Sequence, residues 1–298
     1  MKNPPRLNRR HFFLAGLITI ASSEAAIFSE NFDDGNAASR WSVVSQQEGI
    51  TGPDGSVDFA FDYSTLGLSN PAGGSDTTGA FLQFNKTDNG PINEGESYSI
   101  YPTGGDFSGI FRIDLDMFVY NDGGGGSTEH GMIGIFLNNA DPVSPYEFGT
   151  NGGPLAWVYS GEGGDGTGDL GVYKEGSATS TGYNPLGDYA DNPLIPGFDA
   201  TSGPAASNPR GAWVDVTIRS NGTLIEWLLN GAVVDTYDNS GGYYTNGNLL
   251  IGGMDVFNSA NANNGVIVDN IVVTVPEPSM AMLSFAGLVG FLRRKRGK

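Results

Sequence analysis

Phe111-Arg-Ile-Asp-Leu-Asp-Met-Phe-Val119 is the stretch that decides the fold. Phe111, Ile113, Leu115, Met117 and Val119 alternate with Arg112, Asp114 and Asp116. Successive side chains of a strand point to opposite faces, so a period of two marks a half-buried strand, whereas a helix repeats at about 3.6. The same period recurs in Val57, Phe59 and Phe61 against Asp58 and Asp62. It recurs in Val214, Val216 and Ile218 against Asp215, Thr217 and Arg219, and in Ile225, Trp227 and Leu229 against Leu224, Glu226 and Leu228. Shorter strands are predicted at 28–32, 80–84, 97–101, 131–138, 155–160, 169–174, 248–252 and 265–274. No stretch of this region has the pattern of an amphipathic helix. Leu229-Asn230-Gly231-Ala232 predicts a type I′ hairpin, because both central residues of that turn need φ > 0. Roughly a dozen short strands with turn signals between them predict an all-β fold, a two-sheet antiparallel sandwich. No repeat of fixed period appears, which argues against a propeller or solenoid. Glycine-rich tips are expected at 123–126 and 161–168, and 184–210, with five prolines, shows no clear strand.

Charge is partitioned along the chain. Residues 27–275 carry six Lys+Arg against 31 Asp+Glu, formally −25, and the remaining basic residues sit in the two ends. Such a body repels nucleic acid and anionic lipid and attracts cations. Cysteine is absent, which excludes disulfides, thiolate metal sites and cysteine nucleophiles. About 250 residues suffice for one sandwich domain.

Both ends read as handles. Lys2, Arg6, Arg9 and Arg10 precede an apolar Phe12–Ile20, and Ser23-Glu24-Ala25-Ala26 offers small residues for cleavage: a secretory signal peptide over 1–26. Asn8-Arg9-Arg10-His11-Phe12-Phe13 fits a twin-arginine signal as well as a Sec signal. At the other end, Pro276 and Pro278 stop the preceding strand, since proline offers no N–H to a ladder. Met280–Leu292 is uncharged and mostly apolar, and Arg293-Arg294-Lys295-Arg296 with Lys298 forms a basic stop. The apolar run of 13 residues is short against the ~20 of a bilayer-spanning helix. Order, spacing and position of Pro276-Glu277-Pro278, the apolar run and Arg293-Arg294 resemble the bacterial PEP-CTERM sorting signal. The resemblance covers 275–298. It implies a single membrane helix, transient membrane insertion, and recognition of Pro276, Glu277, Pro278, Arg293 and Arg294 by an exosortase-type membrane protease. It implies delivery to the cell envelope, cell surface or an extracellular matrix. The expected organisation is a signal peptide at 1–26, a domain at 27–274 and a sorting signal at 275–298.

A second resemblance concerns the domain. Trp213-Val-Asp-Val-Thr-Ile218, Thr223-Leu-Ile-Glu-Trp-Leu-Leu-Asn-Gly231, Leu250-Ile-Gly-Gly253 and Ile267-Val-Asp-Asn-Ile-Val-Val273 resemble the C-terminal half of a concanavalin A-like (laminin G-like) jelly roll. Phe28-Ser-Glu-Asn-Phe-Asp-Asp34 followed by Trp41 resembles the opening strand of jelly-roll carbohydrate modules. The first and last strands of a jelly roll often adjoin, which would bring Asp33 and Asp34 near Asp269. Packed carboxylates need a cation or raised pKa values, and Ca²⁺ takes hard oxygen ligands, so a structural Ca²⁺ is expected at these three.

Glycan or exopolysaccharide binding would need aromatic platforms. The candidates are Trp157, Tyr159 and Tyr173, and Tyr243 and Tyr244, of which at least one should be exposed; Tyr183 and Tyr189 lie in loops. No catalytic residue is assigned. The Glu-x-Asp-x-x-Glu string of sandwich glucanases is absent, Glu226 has no acid near it on its strand, and His130 reads as a loop-end residue. Gly163-Gly-Asp-Gly-Thr-Gly-Asp169 has the wrong register for a Ca²⁺-binding repeat. The expectation is an exported, non-enzymatic surface or matrix protein whose sandwich binds carbohydrate. The alternatives are a secreted glycoside hydrolase and a purely structural matrix protein.

Overall fold

A computed structural model describes residues 24–47, 54–87, 95–120, 129–137, 155–160, 170–173, 184–187, 213–255 and 265–276. The strands are β1 (Glu24–Glu30), β2 (Trp41–Gln47), β3 (Ser56–Asp62), β4 (Thr78–Gln83), β5 (Glu96–Pro102), β6 (Phe107–Ser108), β7 (Ile110–Tyr120) and β8 (Glu129–Leu137). They continue as β9 (Leu155–Ser160), β10 (Leu170–Tyr173), β11 (Asn184–Gly187), β12 (Val214–Asn221), β13 (Leu224–Leu229), β14 (Ala232–Asp238), β15 (Asn246–Asp255) and β16 (Gly265–Pro276). Two 3₁₀ turns, Ala37–Ser39 and Tyr63–Leu66, are the only helical pieces among the described residues.

The first sheet runs β14-β13-β12-β7-β16-β4-β3, with β1 also paired to β16; the second runs β11-β10-β9-β8-β15-β5-β2, with β6 on β15. The chain is therefore the all-β, two-sheet antiparallel sandwich expected of a jelly roll. Period-two alternation explains its core. Phe111, Ile113, Leu115, Met117 and Val119 of β7 are buried together with Ile225, Trp227 and Leu229 of β13 and Ile133, Trp157, Leu249 and Ile251 of the second sheet. Burying each such side chain contributes about 1.5–3 kcal/mol. The hairpin at 230–231 has φ 48° at Asn230 and 79° at Gly231, the two positive values a type I′ turn requires.

Four departures appear, the first three with a plain physical cause. Phe61 does not follow Val57 and Phe59 into the core. A bulge between Asp58 and Phe61 slips the register and turns Phe61 outward onto Phe81, 4.6 Å between ring centres. Phe118 and Tyr120, on the outer face of β7, are buried too, because Tyr63, Leu66, Leu68 and Trp213 pack over them. Within 184–210, where no strand was expected, residues 184–187 form β11 at the sheet edge, where Pro185 is tolerated. His130, expected at a loop end, lies in β8 and is buried. The signal-peptide core, the apolar run at 280–292 and the basic tail lie outside the described residues, as do 163–169, Tyr183 and Tyr189. Among the described residues no helix is long and apolar enough to cross a membrane.

Candidate functional site

The sequence pointed to the junction of first and last strands, and β1 does pair with β16. After β1 the chain makes a turn nailed down by Phe32. This residue has φ 62°, is fully buried, and stacks on Trp41 and Phe59 at 6.0 and 6.4 Å. Glu30 fixes the turn by accepting from Phe32 N at 2.9 Å. Arg40 then bridges it: Nε to Glu30 Oε2 at 2.7 Å, and Nη1 to Asp34 Oδ2 at 2.8 Å. Hydrogen bonds from Arg40 and the Asn36 N–H hold the Asp34 carboxyl below its usual range.

Asp269 belongs to a bulge in β16. Asn270, at φ 53°, takes the left-handed conformation that Asn tolerates better than most residues, and donates from Nδ2 to Asp116 Oδ2 at 2.9 Å. That bulge aims Asp269 at Tyr63, whose hydroxyl donates to Oδ2 at 3.0 Å, while Asn270 N donates to Oδ1 at 2.7 Å. Asp269 is 2 % exposed, and burial, with smaller contributions from Asp33 and Asp116, pushes its carboxyl up to about 7. Asp33 is pushed up to about 6, by desolvation first and then by its contact with Asp76. The Tyr63 phenol is held protonated by burial and by Asp269.

The expected trio is thus divided. Asp33 and Asp269 sense each other, Asp34 is neutralised by Arg40, and Asp76, on the β3–β4 connection, stands beside Asp33 instead. Among the described residues no three His, Asp or Glu side chains are grouped to hold a metal ion, so Ca²⁺ at Asp33, Asp34 and Asp269 draws no support from their placement. EDTA is accordingly expected to leave the melting temperature of the purified protein unchanged; a fall restored by Ca²⁺ would overturn this. Asp76 and Tyr63 were missed by the sequence reading. Nothing in the local pattern marks them, since their contacts span dozens of residues.

Two of the aromatic candidates are corrected. Trp157 is 0 % exposed, stacked 6.3 Å from Trp227, with Nε1 donating to Asp235 Oδ2 at 2.9 Å. Tyr159 is buried on the same inward face of β9 and donates to the Met117 carbonyl at 3.4 Å. Both lie on the inward side of the period-two pattern, so they fill the core and offer no platform. The backbone of Tyr173 pairs with Ala156, and its side chain lies outside the described residues. Tyr243 and Tyr244 divide as expected: Tyr243 is 55 % exposed and Tyr244 is buried. Asn239 pins Tyr244 through both its amide groups, and Tyr237, Tyr244 and Tyr243 form an edge-on row with 5.2 Å between successive ring centres. Glu226 is an ion-pair partner of Arg219 across the β12–β13 ladder, at 2.7 Å.

β16 is the last strand among the described residues, and past its bulge it extends to Pro276. Residues 274–296 match the PEP-CTERM protein-sorting motif. The PEP-CTERM motif marks an exported, sorted protein, and it begins inside the last strand of the sandwich. No curated protein is similar to the chain in sequence. Solved structures similar to it include the carbohydrate recognition domain of Emp46p (10% identity, 83% of this chain and 95% of that one, TM-score 0.45). A galectin-like protein of unknown function from Bacillus subtilis has 11% identity over 86% and 100% of the two chains, TM-score 0.46. The catalytic domain of an endo-1,3-beta-glucanase from Thermotoga petrophila has 10% identity over 86% and 100%, TM-score 0.43.

Proposed function

We propose that this is an exported surface or matrix protein, processed at its PEP-CTERM tail by an exosortase-type membrane protease, whose sandwich binds glycans without turning them over. The observation that carries the reading is the motif at 274–296, continuous with a domain formally charged at −25 between basic ends. Glycan binding is supported by Tyr243, an exposed ring held by a buried one, the arrangement a pyranose face needs. The Glu-x-Asp-x-x-Glu string of sandwich glucanases is absent from the sequence, so no catalytic pair is assigned.

Removing residues 277–298 is expected to change where the protein accumulates while leaving the melting curve of the domain intact. An unaltered distribution would count against sorting. On a glycan array, Tyr243→Ala should lose at least about tenfold in affinity with no change in melting temperature, as stacking contacts of ~1–2 kcal/mol imply. Hydrolysis of any bound glycan would replace the binding reading with the glycoside hydrolase.

A further inference from the structure

A second set of acids lies at an end of the sandwich that the sorting reading does not use. Glu96 opens β5 and is 0 % exposed. Its Oε1 accepts from Gly55 N at 2.9 Å and its Oε2 from Asn85 N at 2.8 Å. Asp54, next to Gly55, accepts from Lys86 N at 2.8 Å and Thr87 N at 2.7 Å, and from the Thr87 hydroxyl. Glu96 therefore holds both the entry to β3 and the exit from β4, both in the first sheet, and Asp54, itself in the entry to β3, holds the exit from β4. Glu96 itself belongs to the second sheet. The successive N–H groups of Asn85 and Lys86 hold the Glu96 and Asp54 carboxyls as neighbours, and neighbouring carboxyls cannot both ionise cheaply.

We propose that Asp54 and Glu96 share one proton and act as a proton-operated latch between the two sheets, closed in mild acid and released in alkaline solution. The surrounding charges favour it. Asp255 of β15 lies opposite Glu96 in register and accepts from Asn85 Nδ2 at 2.8 Å. The backbone of β8 places Glu129 opposite Asp255, and that of β2 places Gln47 opposite Glu96. Tyr98 contributes a neutral phenol, its ionisation pushed up to about 12 by burial and by Glu96. The cation nearest in sequence, Lys86, directs its ammonium to Ser56 Oγ at 3.3 Å. Burial pushes Glu96 up to about 7 against the Gly55 and Asn85 N–H donors, which favour its ionised form, and Asp54 adds a smaller upward share. Burial also raises Asp54, but the donors from Thr87 and Lys86 outweigh it and leave Asp54 below its usual range.

The signs follow. A raised Glu96 stabilises fully below its unfolded value of 4.5 and loses that contribution as pH rises through about 7. The depressed Asp54 acts in reverse, contributing above its unfolded value of 3.8 and losing it in stronger acid. The latch is tightest between about pH 5 and 6.

Melting curves of the purified protein should fall by roughly 5–10 °C from pH 5.5 to 8.5, and Glu96→Gln should remove most of that fall. Asp54→Asn, which leaves Glu96 without its carboxylate partner, should flatten the slope as well. In the unaltered protein, amide exchange at Gly55 and Asn85 should accelerate above pH 7 by more than the base-catalysed rise seen at other buried amides. That local readout decides the matter even if a variant fails to fold. A wild-type slope in Glu96→Gln, or no excess exchange at Gly55 and Asn85, overturns the latch. So does a slope that Ca²⁺ abolishes in the unaltered protein and not in Glu96→Gln, since a cation would then hold the acids together.

Discussion

Trp157→Ala is expected to destabilise the domain by about 3–5 kcal/mol, lowering its melting temperature by roughly 10 °C or more. Three losses combine. The indole leaves a large cavity between the sheets, because Trp157 is wholly buried in the main core. Trp227 loses the ring stacked at 6.3 Å. Asp235, on the edge strand β14, loses the Nε1 donor at 2.9 Å that ties it to the second sheet. Trp157→Phe keeps most of the volume and should recover more than half of the loss. A binding platform would behave in the opposite way, losing ligand at unchanged stability. If Trp157→Ala melts like the parent, the core position of this residue is wrong.

Arg40→Ala is the second large effect, at about 2–3 kcal/mol. Removing one partner of a buried pair leaves the other charge uncompensated, typically at 3–5 kcal/mol; the lower figure allows for Arg40 being 33% exposed. Glu30 is the group left behind. Its side chain is 2% exposed, and it also holds Phe32 N and Trp41 Nε1. Burial raises the Glu30 pKa, but Arg40 and the other donors more than offset it and leave it lowered. Its contribution is therefore present above the unfolded value of 4.5 and lost as pH falls below it. The variant should thus be most impaired near pH 7 and closer to the parent near pH 4. Combining it with Glu30→Gln should return part of the stability at pH 7. Equal losses at both pH values would remove the ion pair from the explanation and leave only the packing of the Arg40 stem.

Much of this architecture was legible because a period of two reports directly on which face is buried. β7, β12 and β13 were read from single alternating stretches, and Asn230-Gly231 specified its turn because few other pairs accept two positive φ values. What escaped was whatever depends on a second layer. Phe118 and Tyr120 look like outward residues of an alternating strand until residues 63–68 are placed over them. Trp157 looked available for ligand because aromatic residues in a strand carry no mark of which face is covered. β2 and β11 escaped because edge strands are under weaker demands: Trp41-Ser-Val-Val-Ser-Gln-Gln alternates poorly, and Asn184-Pro-Leu-Gly is only four residues long. The acid sites were half legible. That Asp33 and Asp269 would approach followed from topology, but that Arg40 would claim Asp34, and Asp76 would take its place, depends on turn geometry that no spacing encodes.

The continuity of β16 with the motif has a mechanical consequence. A leash of even ten flexible residues would let its two ends wander by roughly 17 Å relative to each other, whereas here the last strand itself extends to the first proline of the motif. A cut before Pro276 would therefore remove residues of the strand itself, whereas a cut beyond it would leave β16 whole.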